Sequence, residues 1–312
     1  MLFNREGNGT LELQMLTGGF SASNDFAAVV NEVKLATGAV AALVGWPVVR
    51  KAEDAYEKDD QSQRAFIDAV RLPIAMQVLI THSNDNLVSH DDSGRTIHVD
   101  ENQKIPFEWM IDRDDRAMRD KYYRSLDLLY AFLEENNIQE WTESDIRKNR
   151  LQSIIKTIGQ FEDVYPIDHS YYVFYMFQPL AIEIGHRTVR KMVGPDNWTA
   201  ISGNGCPDDK KTLQWLCRRY TVLSAVVTGV RRWSLEVFPL EIARRFAPTY
   251  QGNRSSRAAL RTEMEDYLRG IEEQLTDLRD EIAEELAGGM NPYEGFDPMP
   301  HNDPRNKFFT AQ

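Results

Sequence analysis

The chain has 312 residues, 42% of them hydrophobic and 27% charged, with a net charge of −12 and a sequence pI near 5.1. This is the composition of a soluble globular chain with room for about two ordinary domains. The acidic balance argues against general binding of nucleic acid or anionic membrane, and two cysteines, Cys206 and Cys217, make no disulfide framework.

Residues 1–24 show no clean period, and four glycines fall among polar residues. Leu11, Leu13, Met15 and Leu16 suggest a short strand, so this arm must lie on its own body or on a neighbour. The Ser23-Asn24-Asp25 run offers N-cap chemistry, and a helix is expected to about Val44, ending at Gly45. No leader with a cleavage site is visible. The apolar run 39–49 carries Gly45 and Pro47 and reads as too short to cross a bilayer. Residues 46–58 read as a connection.

A second helix is expected over 61–82, with Ile67, Val70, Ile74, Ala75 and Val78 on its buried face and a kink at Pro73. Residues 86–106 read as two short alternating strands around a turn at Gly94. A third helix spans 107–137, where Met118, Tyr122, Leu126, Leu129 and Leu133 step by three and four. A bridging helix is expected over 145–161.

The stretch 171–194 reads as an apolar helix with Arg187, Arg190 and Lys191 toward its C-terminal end. Gly194 stands where a left-handed cap belongs, and Pro195 prevents continuation. Residues 210–233 give the cleanest seam, Leu213, Leu216, Tyr220, Leu223, Val227 and Val230. A last long helix runs from Ser255 or Ser256 to Leu286. Residues 290–312 form a second arm with four prolines and with Tyr293, Phe296, Phe308 and Phe309 as anchors.

One offset relates the halves. Gly194 follows Gly45 by 149 residues, and the Asp208-Asp209 pair follows Asp59-Asp60 by the same interval, with no gap. Apolar positions coincide through three helical segments, among them Ile74 with Leu223, Leu126 with Leu275 and Leu129 with Leu278. Chance phase-sharing between amphipathic helices is the alternative, but two glycine stops and two acidic pairs at one offset argue for duplication. The reading is a mainly α chain of two tandem helical-bundle repeats. A β-hairpin or long loop sits in the first repeat, and extended arms lie at both ends. Its parts are 1–24 (arm), 25–144 (first repeat, hairpin at 86–106), 145–289 (second repeat) and 290–312 (arm).

Signals for chemistry are weak. His90, Asp91, Asp92 and His98 cluster on the hairpin and offer divalent-metal chemistry, but a polar hairpin tip is the plainer reading. His186 has Glu183 nearby, half of a carboxylate-bridged bundle site. No second Glu-x-x-His occurs in the chain, so a satisfied local pair is expected. Arg218, Arg219, Arg231 and Arg232, with Trp215 and Trp233, resemble a nucleic-acid stripe, but 48 acidic residues are available to pair with them. No phosphate loop, nucleophile elbow or Ser-His-Asp set is present. No catalytic residue, metal ligand or cofactor is expected. An assembly role is, with partner contacts through Leu11 and Leu13 of the first arm, Phe296, Phe308 and Phe309 of the second, and Leu87, Val88, His90, Arg95, Ile97 and Val99 of the hairpin.

Across roughly 24–286, the runs VVNEVKLATGAVAALVG, RLPIAMQVL, DDSGRTIHVDENQKIPFEWMIDRDDRAMRDKYYRSLDLLYAFLEENNIQEW and IIKTIGQFEDVYPIDHSYYVFYMFQPLAIEIGHRTVRKMVG resemble an uncharacterised family from phages and prophages of Bacteroidetes. The turn at Asp92-Ser93-Gly94, the helix end at 133–136 and the segment 161–170 carry the likeness. The resemblance implies a virion head–tail connector in the neck of a bacteriophage, assembled in the host cytoplasm as a ring, dodecameric by analogy. Its partners would be the portal and tail or other neck proteins. DNA would pass its acidic lumen without specific binding, and no membrane would be involved. Another neck or tail completion or stopper protein, or a non-viral helical adaptor, is the alternative.

Overall fold

The computed structural model describes residues 1–21, 25–85, 89–91, 94–96, 107–203, 205–232 and 261–288, and the protein is mainly helical. The expectations for the C-terminal arm, and for Leu87, Val88, Ile97 and Val99, fall outside the described residues.

The N-terminal arm lies on its own body. Helix α1 (Gly9–Thr17) replaces the expected strand. Leu11, Leu13 and Met15 alternate, but the residues turned inward are Gly9, Leu13 and, half-buried, Leu16, at steps of four and three. Leu2, Phe3, Leu13 and Phe20 are buried in the main core. Leu13 is therefore no exposed partner residue, while Leu11 faces solvent.

Helix α2 (Phe26–Val44) begins at Asp25, whose carboxylate accepts from the Ala27 N–H. Its inner face is Val29, Val33, Ala36, Val40 and Val44. Gly45 has φ 94° and ψ 144°, a pairing that favours glycine, and there the chain turns directly into α3 (Trp46–Glu57). Residues 46–58 are thus a helix, with Val48, Val49, Ala52 and Tyr56 inward at helical spacing. Pro47 sits in the first turn, where a missing N–H costs nothing, so it opens this helix instead of breaking the previous one.

A short 3-10 turn, Gln61–Gln63, leads into α4 (Arg64–Asp85), which runs continuously through Pro73. By length and composition, α2 and the segment Gln61–Asp85 are both apolar enough to cross a membrane, the first with mean hydropathy 1.5. Here they pack against each other, and α1 and α3 also pack on α4. β1 (Ser89–Asp91) and β2 (Gly94–Thr96) form an antiparallel ladder, Ser89 opposite Thr96, His90 opposite Arg95 and Asp91 opposite Gly94. Helix α5 (Glu108–Glu135) then returns along α4. The two run antiparallel, since Phe66 near the start of α4 stacks on Phe132 near the end of α5 at 6.0 Å.

The expected bridging helix is broken into α6 (Gln139–Thr142), α7 (Asp145–Arg150) and α8 (Ile158–Glu162). Between the last two, the Ser153 hydroxyl bonds the backbone of Ile155 and meets Gln178, turning the chain so that Ile154 and Ile155 are buried.

Ser170 caps α9 (Tyr171–Ile184), which contains Pro179 without a break. A π-turn, Gly185–Val189, passes into α10 (Arg190–Val193). Gly194, with φ 82° and ψ 163°, joins α10 to α11 (Pro195–Ser202), and Pro195 again starts a helix. This is not a left-handed cap, because ψ lies far from the left-handed helical value. A 3-10 turn, Asp208–Lys210, precedes α12 (Lys211–Arg232), and α13 (Arg261–Leu286) is the last helix. Helix α12 packs on α9, α11 and α13, and α5 packs on α9. Buried apolar residues from both halves form one connected cluster.

Candidate functional site

Two polar centres hold the helices together. The first fastens the N-terminal arm. Glu12 of α1 accepts hydrogen bonds from the Tyr56 hydroxyl at 2.8 Å, the Arg71 guanidinium at 2.5 Å and the Asn4 N–H at 3.3 Å. Arg71 is 3% exposed and lies over the rings of Phe3 and Tyr56. Burial lowers its pKa, and burial pushes the Tyr56 hydroxyl up to about 12.

The second centre joins the halves. Glu134, in the last turn of α5, accepts from Trp141 Nε1 at 2.7 Å, from Arg147 at 2.8 and 2.9 Å, and from the Tyr175 hydroxyl of α9. Burial alone would raise this carboxyl. The bonds from Arg147, Tyr175 and Trp141 and the Arg147 charge outweigh it, and Glu134 is held below its ordinary value. Tyr130, Trp141 and Tyr175 pack ring against ring around it. Two turns back along the helix, Asp127 accepts from Ser170 Oγ and the Tyr172 N–H, closing the start of α9 onto α5.

The residues singled out for chemistry divide differently. His90 and Arg95 face each other in the backbone ladder, and side chains of this segment, including Asp91, lie outside the described residues, as do Asp92 and His98 entirely. His186 does not pair with Glu183. Its ring meets Trp198 at 5.7 Å, while Glu183 pairs with Arg232 at 2.6 and 2.9 Å. The arginine stripe is divided too. Arg218 reaches the Ile154 carbonyl, Arg219 covers the Trp215 ring at 4.7 Å and Arg231 pairs with Glu272. Cys217 is buried, which pushes its thiol up to about 12, and Cys206 is half-buried. Among the described residues, no group of three His, Cys, Asp or Glu could hold a metal ion.

Large apolar side chains on the outside are the feature the sequence reading missed. Leu35 of α2 is 74% exposed and Trp46 at the next corner 49%. Phe107 and Trp109, at the start of α5, are 68% and 58% exposed, and Met110 is exposed beside them. Helical phase could have found Leu35, because it lies off the face set by Val33, Ala36 and Val40. These positions come from the middle of α2, from the corner after it and from the tip of α5, before its first buried residue, Met118. No family model, no curated protein and no solved structure matches this chain.

Proposed function

We propose that the chain is a structural assembly protein built from a duplicated helical unit, and that it serves as a ring-forming connector between the head and tail of a bacteriophage particle. The observation that carries the assembly reading is the set of large apolar side chains on the outside, Leu35, Trp46, Phe107, Trp109 and Met110. Phe107, Trp109 and Met110, exposed within four residues at the start of α5, form the densest run among them, and neighbouring exposed apolar side chains of this size mark surfaces that meet a partner. The connector role comes from the resemblance of 24–286 to the phage family.

Several features support the duplication. Both halves run long helix, glycine, short helix opened by proline, 3-10 turn, long helix and returning long helix. The packing order is the same, α2 on α4 on α5 and α9 on α12 on α13. Helix α1, packed on α4, begins 149 residues before α8, packed on α12, so the unit extends into the N-terminal arm. The interval is gapped, however. Val40 and Val44 match buried Val189 and Val193 at 149 residues, whereas Val29, Val33 and Ala36 match buried Phe177, Ala181 and Ile184 at 148. The π-turn lies between the two registers and absorbs the one extra residue.

The hairpin over 86–106 is a further part of the proposal. It is the loop between the two long helices of the first unit, and its ladder around Ser89–Asp91 offers strand edges to the portal or to an adjacent subunit. Electron microscopy of the purified chain, alone and with a phage portal protein, tests the function. Rings of the chain, or its addition to the portal as a ring, are expected. A protein that stays monomeric in both conditions overturns the reading.

A further inference from the structure

We propose that two charged ridges on the second half bind successive copies of this chain to one another, the acidic ridge of one copy against the basic ridge of the next. The inference rests on the assembly reading and names its interface.

The acidic ridge is on α13. Asp277, Asp280 and Glu284 follow at steps of three and four, so they line one side of the helix. All three are exposed, on the side opposite buried Leu278 and Ile282. The basic ridge is Arg187, Arg190 and Lys191, on the π-turn and α10, exposed on the side opposite buried Val189 and Val193. Arg187 comes within 3.5 Å of Glu183. Among the described residues, Arg190, Lys191 and the three acids make no side-chain hydrogen bond or ion pair.

The fold accounts for part of the basic ridge, since Arg190 and Lys191 lie in the last turn of α10 where cations complement the helix dipole, but it gives the acidic ridge no such role. Like charges at helical spacing oppose the helix that bears them. In the first half the positions 149 residues earlier hold Leu128 and Ala131 for the two aspartates, and Gly38 and Ala42 for Arg187 and Lys191. Helices α10 and α13 touch within the molecule, yet each ridge faces away from the shared core. Among the described residues no ion pair joins the two ridges within one copy, which leaves both available for pairing between copies. Contacts between two different patches of the same chain run head to tail, and such contacts form a ring when the rotation between copies closes and a filament when it does not. Opposed ridges of this kind steer encounter and fix register.

The test compares four full-length proteins by sedimentation velocity: wild type, Arg190→Glu with Lys191→Glu, Asp277→Lys with Asp280→Lys, and all four substitutions together. All sites are exposed, and circular dichroism checks that helix content is unchanged. The wild type should assemble near physiological salt and come apart at about 1 M, where the screening length is about 3 Å instead of about 8 Å. Each charge reversal should weaken association roughly tenfold or more, and the combined variant should regain it. Assembly of wild type that neither reversal weakens overturns this interface and leaves the connector reading standing on another surface. Loss in both reversals without recovery in the combined variant overturns the pairing of these two ridges. A wild type that never associates, alone or with the portal, overturns both readings.

Discussion

The two halves use one helix order to different ends. Their inner faces are alike: α2 and α4 bury Val33, Val40 and Ile74 where α9, the π-turn and α12 bury Ala181, Val189 and Leu223. Their outer lines are not. Along α2 the outward positions are Asn31, Leu35, Ala39 and Ala42, and along α9, the π-turn and α10 they are Pro179, Glu183, Arg187 and Lys191. On the proposed duplication, matched positions carry Leu35, Ala39 and Ala42 in one half and Glu183, Arg187 and Lys191 in the other. Packing constrains only the inward residues, so what differs outside is free to serve partners. The halves also differ in how their ends are held. Glu134 anchors the end of α5 to α9, whereas the corresponding position on α13 is Ala283, with nothing after it to hold among the described residues.

The largest effect should come from removing residues 1–21. If the arm were an accessory, the helical body would stay folded without it. Leu2, Phe3, Leu13 and Phe20 are buried in the body, and burial of each such side chain contributes about 1.5–3 kcal/mol. Together that rivals the total stability of an ordinary domain, about 5–15 kcal/mol. The truncated chain should therefore lose its cooperative urea transition or purify as aggregate. A truncated protein with an unchanged midpoint would show that the arm is dispensable and that only α2–α5 compare with the second half.

Next comes Glu134→Ala. It removes the one carboxylate that receives Arg147, Trp141 and Tyr175, and leaves these donors partly buried without an acceptor. A loss of about 3 kcal/mol is expected. If the halves are coupled through this residue, wild type should unfold in one urea transition and the variant in two. The pH dependence has a definite sign. Glu134 is held below its ordinary value, so its contribution is fully present above the unfolded-state pKa and is lost as pH falls through the lower folded value. Wild-type stability should thus fall on acidification below about pH 4.5, by at most about 1.4 kcal/mol per pH unit from this group. Glu134→Gln should remove that component. An identical acid limb in both proteins would refute the assignment.

Much of the helical framework was legible in the sequence. The seam from Leu213 to Val227 and the steps from Met118 to Leu133 identify α12 and α5 because their burial follows period alone. Residues 46–58 were misread because Gly45 and Pro47 signal a stop, and the same pair can as well start a new helix when proline falls in its first turn. The strand expectation for 11–16 failed because four apolar residues satisfy either period, and only docking onto α4 selects the helical one. The one-residue shift at the π-turn is invisible without knowing which residues are buried. Glu134 could not have been found at all: its partners lie 7, 13 and 41 residues away and belong to three separate elements.

The two corner glycines give a matched pair of smaller effects. Gly45 and Gly194 both have positive φ with extended ψ, at 94° and 144° and at 82° and 163°. A side chain there costs about 1–3 kcal/mol in backbone strain. A Cβ fits at both: at Gly45 it would make ordinary van der Waals contact, 3.6 Å from Pro47 and 3.7 Å from Ile146, and at Gly194 no heavy atom lies within 4 Å. Strain is therefore the main cost in both, and Gly45→Ala and Gly194→Ala should lower the urea midpoint by similar amounts. A cost confined to one of them would mean that the corners are not equivalent.

The smallest effect on stability is expected from Leu35→Asp. An apolar residue lost from a helix normally costs core packing, but Leu35 is 74% exposed and its inward neighbours Val33 and Ala36 are untouched. Its counterpart across the 148-residue interval is Glu183, a charged residue on the same outer line of a helix that folds. Surface substitutions of this kind usually stay within about 0.5 kcal/mol, and urea unfolding should place the variant within that range of wild type. Assembly should respond differently. If the apolar line from Leu35 to Trp46 is covered in the particle, a carboxylate at its end must be desolvated on docking, and association with the neck partner should weaken while the monomer stays as stable as before. A variant that loses stability instead would mean that the outer line of α2 belongs to the fold, and that the contrast between the halves is one of packing and not of partners.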